Sequence, residues 1–322
     1  MSRALLIVMV GLAAYSILNV AASVAVAVWW RFRLAAVPAP RNQARQLFWW
    51  RSAPAAMSLA ATLLVVVPAF AIFEPLGVAE TAGPFVMTFA IATLMMCGAS
   101  VYLALRSAAA TQLAVRHWLR SSTPLDVDPP AGVPAYVIHS AAPIVALVGI
   151  FRPRLVAAQA VIAACTTDEL NAIVAHERGH WRSRDNLKRW LMACAPDALR
   201  WTPIHQQVVA AWHDAAEDAA DDVTTGGSDA ARVELAALLV KIARLTAEPV
   251  FPLAAISPFV EPDGLSRRVT RLLGSRETGV ASWNAGPIAA AIGAAVMAVV
   301  MASPTFMKGV FDAVELFVAL GR

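Results

Sequence analysis

His176-Glu177-Arg178-Gly179-His180 gathers two imidazoles and a carboxylate within five positions. Thr166 followed by Glu169 reads as a capping box, and Leu170, Ile173 and Val174 supply an apolar stripe. The stretch from Thr166 to Leu191 therefore predicts a helix. Residues four apart on a helix lie one turn, about 5.4 Å, apart, so His176 and His180 leave the same face. Two nitrogen ligands of a tetrahedral zinc need that geometry. Glu177 stands beside them to take a proton from a water polarised by the metal. With six histidines among 322 residues, a chance H-E-x-x-H arises about once in a few hundred such chains. The stretch reads as a catalytic site for one zinc ion per chain.

A third protein ligand must come from another element packed against this helix. Ile204 to Val223 predicts the next long helix, on which His213, Glu217 and Asp221 share one face at successive i, i+4 steps. Glu217, 37 positions after His180, suits a carboxylate ligand, and Asp221 suits an acid that orients a ligating histidine. Asp214, Asp218 and Asp222 crowd the same segment, so taken alone it also reads as a solvated acidic face. His213 reads as an oxyanion stabiliser, an alternative ligand or a surface histidine. His117, His139 and His205 read as structural.

Composition says where such a site would sit. The chain is 59% hydrophobic with a mean hydropathy of +0.61, and only 15% of its residues are charged. A soluble domain carries about 25% charged residues, so the deficit points to the lipid bilayer. A net charge of +4 and a pI near 9.3 fit contact with an anionic leaflet. No basic-aromatic motif argues for nucleic acid. Cys97, Cys165 and Cys194 have no ligand spacing and read as buried thiols in a reducing compartment.

Ala4 to Val28 predicts a first transmembrane helix, Pro54 to Phe73 a second with a kink at Pro68, and Gly83 to Leu105 a third. Gly286 to Met301 with its flanks predicts a fourth. Arg31 to Ser52 reads as a loop with five arginines, flanked by Trp29-Trp30 and Trp49-Trp50 as interfacial anchors. Glu74 to Ala82 is an acidic turn without Lys or Arg. The positive-inside rule then puts the N-terminus outside and everything after Arg106 in the cytoplasm. The expected fold is a mainly α membrane protein: residues 1–106 a three-span region, 107–281 a cytoplasmic α+β peptidase domain, 282–304 a fourth span, and 305–322 a tail. In that tail Met307, Val310, Phe311, Val314, Phe317 and Val318 form one side of an interfacial helix.

Inside the domain, Thr123 to Pro134 reads as a proline-rich linker. Ala135 to Ile138, Ile144 to Val148 and Leu155 to Ala157 read as a small sheet ahead of the zinc helix. Ile144, Val145, Ala146, Leu147 and Val148 are expected to form an exposed edge strand that pairs with an extended substrate backbone.

The stretch H-E-R-G-H-W-R-S-R-D-N-L, His176 to Leu187, resembles the signature of the BlaR/MecR family of integral-membrane zinc peptidases. Trp201-Thr202-Pro203, the run Glu217 to Asp222 and R-V-T-R-L-L from Arg268 to Leu273 resemble later motifs of that family. The likeness covers about Ala142 to Leu273, with the order of three spans, protease domain and one span. It implies a gluzincin-like peptidase with a zincin-like fold. His176, His180 and Glu217 would be zinc ligands, Glu177 the base, and Asp185 and Asp221 acids that fix the ligands or their helices. It also implies cytoplasmic cleavage of a protein or peptide substrate, either the chain itself or a transcriptional repressor. Arg178 stands where the family has an apolar residue, and Ala216 where an arginine is common. About 18 residues follow the fourth span, too few for a penicillin-binding sensor, so direct β-lactam sensing is not expected. HtpX-like quality-control and prenyl-protease-type peptidases are the nearest rivals. A zinc-stabilised signalling scaffold is the non-catalytic alternative, and the presence of Glu177 argues against it.

Overall fold

A computed structural model of the chain describes residues 2–32, 39–74, 82–125, 133–140, 143–245, 256–258, 262–274 and 303–320. The expected fourth span lies outside the described residues, as does most of the Glu74–Ala82 turn. The N-terminal third is helical: α1 (Arg3–Phe32), α2 (Pro40–Ala61), a π turn (Thr62–Val66), α3 (Val67–Phe73) and α4 (Pro84–Leu119). Three stretches, Arg3–Phe32, Pro40–Phe73 and Pro84–Leu119, are long and apolar enough to cross a membrane, and they suggest a membrane protein. The π turn ends where Pro68 denies the ladder an N–H, so the predicted kink appears as a local rewinding. Polar groups turn inward among these helices: Ser16 Oγ lies 2.8 Å from Thr93 Oγ1, whose hydroxyl donates to the Leu12 carbonyl. Leu64, Met95 and Leu105 face outward. This inside-out polarity suits lipid as the solvent.

The described part of the stretch Arg31–Ser52 is helical rather than a loop. Helix α2 starts at Pro40 and carries Arg41, Arg45 and Arg51 along it. Arginine is a good helix former, and an apolar run marks where a helix meets lipid rather than where it begins. For the same reason α4 runs past Arg106 to Leu119. Trp29 stacks on Trp50 with ring centroids 4.1 Å apart, and Trp30 Nε1 donates to Gln207 Oε1.

The remaining described elements are β1 (Thr123–Pro124), β2 (Ala135–Ile138), β3 (Val145–Val148), β4 (Arg154–Ala158), α5 (Gln159–Ala164), α6 (Thr167–Ser183) and α7 (Asp185–Cys194). A 3-10 turn (Ala198–Trp201), α8 (Pro203–Thr225), α9 (Asp229–Leu245), β5 (Ile256–Pro258), α10 (Pro262–Leu273) and α11 (Pro304–Leu320) follow. The sheet is mixed, in the order β1-β2-β4-β3-β5, with β2 and β4 parallel and the other pairs antiparallel. The three predicted strands are present. The expected linker gives up Thr123-Pro124 to the sheet.

One expectation fails on pairing. Strand β3 is interior, because Ala146, Leu147 and Val148 pair with Pro258, Ser257 and Ile256 of β5 on the side away from β4. Val145 to Val148 are all buried. A short apolar run shows that a strand is buried but not which distant segment lies beside it. Residues 144–148 therefore do not form an exposed edge.

The sheet, α6 and α9 enclose the main core, with Ile138, Val148, Val156, Ile173 and Leu239 at its centre. Helix α11 packs its apolar side on the spans instead of lying free. Val318 is buried with Leu6 and Val86, and the Phe317 ring sits 4.7 Å from that of Phe85. An aromatic stripe fits protein as well as lipid, so amphipathicity alone did not decide this.

Candidate metal centre

Helix α6 begins at the predicted capping box. Thr166 Oγ1 accepts from the Glu169 amide, and Glu169 Oε2 accepts from the Thr166 amide and from Lys241 Nζ. These bonds hold the Glu169 carboxyl below its ordinary range, the Lys241 bond most of all. The helix ends at Arg184, whose left-handed backbone (φ 55°, ψ 42°) turns the chain so that α7 leads back past the histidines. Helix α8 starts with Pro203 at its first turn and stops at Gly226. Helices α6 and α8 approach closely at Gly179, where a Cβ would lie 3.1 Å from Ala220 Cα.

That approach brings three ligand atoms together. His176 Nε2 and His180 Nε2 lie 3.1 Å apart, and Glu217 oxygens lie 3.4 and 3.3 Å from them. A tetrahedral zinc with ligands at about 2.0–2.1 Å separates them by about 3.3 Å. All three residues are buried. The other ring nitrogens are committed elsewhere: His180 Nδ1 lies 2.9 Å from Asp185 Oδ2, and His176 Nδ1 lies 3.1 Å from Asp221 Oδ1. Carboxylates there keep the Nδ1 protons and aim two Nε2 lone pairs at the same point. Lone pairs this close repel unless a cation separates them, so the donor set fits a zinc ion. The centre is built to hold positive charge. Burial alone would lower His180, yet Glu217 and Asp185 lift it well above its ordinary range. Burial alone would raise Glu217, yet His180 and Arg268 hold it well below the usual carboxylate range.

Glu177 is fully buried beside this group. Its Oε2 accepts from the Leu147 amide at 2.9 Å, and its Oε1 has no hydrogen-bond partner among the described residues. Burial pushes its carboxyl up to about 7, against the pull of His180 and His176. The Leu147 amide thus serves the glutamate, while the Leu147 carbonyl accepts from Asn186 Nδ2 at 2.7 Å. A cleft of about 620 Å³ opens here, lined by Leu147, Gly149, Phe151, His180 and Asn186 among others.

Asp185 and Asp221 thus lie against the Nδ1 atoms of His180 and His176. His213 does not join the ligand group: its Nδ1 is 4.0 Å from Glu217 Oε1 and 3.0 Å from Arg189 Nη2, at the rim. Two contributors were missed by the sequence reading. Arg268, almost fully buried on α10, puts Nη1 3.0 Å from Glu217 and forks onto Asp221 at 2.6 and 3.0 Å. It had appeared only as part of a motif. Asn186 carried no spacing signal at all. Of the crowded acids of α8, Asp218 is buried under Arg267, while Asp214 and Asp222 stay about half-exposed and pair with Arg267 and Arg271. Ala216 is buried against Ala44 and Leu47 of α2, which leaves no room there for an arginine. Arg178 is half-buried and outside the ligand group. His139 and His117 are exposed. The three cysteines are free, and each is only partly buried.

Residues 123–253 match the model of peptidase family M48, which supports a metallopeptidase of that family and, with the His-His-Glu group, zinc dependence. No curated protein and no solved structure matches the chain.

Proposed function

We propose that the chain is a membrane-embedded zinc endopeptidase of BlaR/MecR type, cutting a protein substrate on the cytoplasmic side. The observation that carries this reading is the convergence of His176, His180 and Glu217 beside a buried, half-unpartnered Glu177. A purely structural zinc site needs no such carboxylate. Zinc, when bound, supplies Lewis-acid polarisation of the scissile carbonyl and acidifies the attacking water. Glu177 accepts that water's proton at Oε1 and returns it to the leaving amine. The Leu147 amide keeps Oε2 occupied, so only one oxygen faces the reaction.

The membrane reading divides the chain into 1–106, 107–281, 282–304 and 305–322, with residues 282–304 as a fourth span. Five arginines between the apolar runs Ala4–Val28 and Pro54–Phe73, against two glutamates in the stretch Glu74–Ala82, support a cytoplasmic catalytic domain. Cysteine labelling at Ser228 reports that side, and labelling from outside the cell overturns it. Among substrates, the chain itself and a transcriptional repressor fit the motif likeness best.

Two variants test the roles. Glu177→Gln keeps size and helix fit but takes no proton, so casein or self cleavage falls about a hundredfold or more while zinc stays at the wild-type level. Glu217→Ala removes a ligand and lowers zinc itself. Equal zinc loss in both variants overturns the assignment. A wild type that binds zinc and cleaves nothing returns the scaffold reading.

A further inference from the structure

Asp185 and Asn186 are neighbours at the start of α7, directly after the left-handed Arg184. Asp185 holds the ligand His180. Asn186 reaches the opposite way: its Nδ2 donates to the Leu147 carbonyl at 2.7 Å and the Gly149 carbonyl at 3.1 Å. Two carbonyl acceptors fix which end of the amide carries the protons. Leu147 in turn donates its own amide to Glu177. Gly149 (φ 104°) closes a turn so tight that a Cβ would meet the Arg152 carbonyl at 2.9 Å.

We infer that Asn186 is a positioning residue for Glu177, a role that rests on the peptidase reading. One helical turn thereby sets both halves of the site: Asp185 orients a metal ligand, and Asn186 pins the strand whose amide orients the base. The amide is nearly fully buried, and its Oδ1 has no hydrogen-bond partner among the described residues. Its donors are therefore the part in use. Without them two buried carbonyls lose a partner, the end of β3 relaxes, and Glu177 turns away from the metal centre.

Asn186→Asp keeps the shape but sets carboxylate oxygen against two carbonyl oxygens, and Asn186→Ala only deletes the donors. In full-length protein with casein as substrate, kcat falls about tenfold or more in Asn186→Ala, and further in Asn186→Asp, with KM within about twofold. Zinc content of Asn186→Ala stays near wild type, and its thermal midpoint falls by only a few degrees. Hydrogen exchange of the Leu147 amide, read on a peptide covering 145–149, becomes faster in both variants. Unchanged kcat overturns the inference, and so does zinc loss in step with activity, since the residue would then only hold the fold. The exchange measurement separates this idea from the peptidase reading. If wild type hydrolyses nothing, faster Leu147 exchange still shows the clamp, and unchanged exchange overturns it.

Discussion

His176 and His180 each commit one ring nitrogen to a carboxylate, and in the proposed zinc site the aim of their Nε2 lone pairs depends on those partners. Asp185→Asn weakens the acceptor that fixes His180. Zinc affinity is expected to drop about 10–100-fold, as read by chelator competition, with most activity restored at saturating zinc. Arg268 acts on the other side. It is the buried cation between Glu217 and Asp221, and its removal leaves two carboxylates with less counter-charge. Arg268→Ala is expected to cost about 3–5 kcal/mol in thermal or denaturant unfolding and to lower zinc content. A stable, zinc-replete Arg268→Ala protein would show that this cation is dispensable.

Between elements, the approach of α6 to α8 decides whether Glu217 reaches the histidines. Gly179 faces Ala220 with no space for a side chain, so Gly179→Val must push the helices apart. The expected cost is about 1–3 kcal/mol, with zinc lost in parallel because two of the proposed ligands ride on α6 and the third on α8. Thr166→Ala serves as contrast. It removes a cap at the far end of α6 and is expected to cost about 1 kcal/mol while zinc content stays unchanged. Unfolding and metal analysis on the two variants separate helix stability from helix spacing.

At the scale of the whole molecule, Arg51 joins the second apolar helix to the peptidase domain. It is fully buried and donates to Asp197, to the Met192 carbonyl and to His205 Nδ1. Tyr15 and Asn19 of α1 donate to the Pro196 carbonyl of the same segment. Arg51→Ala leaves Asp197 uncompensated and should cost about 3–5 kcal/mol, whereas Arg51→Met with Asp197→Leu should cost clearly less. His205 accepts from Arg51 and so must stay neutral. Burial first, then Arg51 and Arg200, hold its pKa down to about 4 from the ordinary 6.5. A lowered folded pKa means the unfolded chain binds the proton more readily. This contribution to stability is therefore complete above pH 6.5 and is lost as pH falls toward 4. His205→Gln should flatten that limb in pH-dependent unfolding of the detergent-solubilised protein.

By itself the sequence determined what is local. The i, i+4 spacing of His176 and His180, the Thr166–Glu169 cap, the apolar runs and the short strands before α6 all depend on residues within a few turns of each other. Backbone geometry fixes such relations whatever the rest of the chain does. Glu217 was legible because its spacing to Asp221 repeats one helical turn, although its fit to the histidines needed the contact at Gly179 and Ala220. The tertiary structure alone decided the partners that come from far along the chain. Ser257 lies beside Leu147, so β3 is interior; Arg268 neutralises Asp221; Arg51 leaves the expected loop to bury itself against Asp197. An apolar residue in a strand, or an arginine in a helix, is chemically able to satisfy many neighbours. Only the packed chain selects one, because each buried charge or carbonyl must find its partner at a fixed distance.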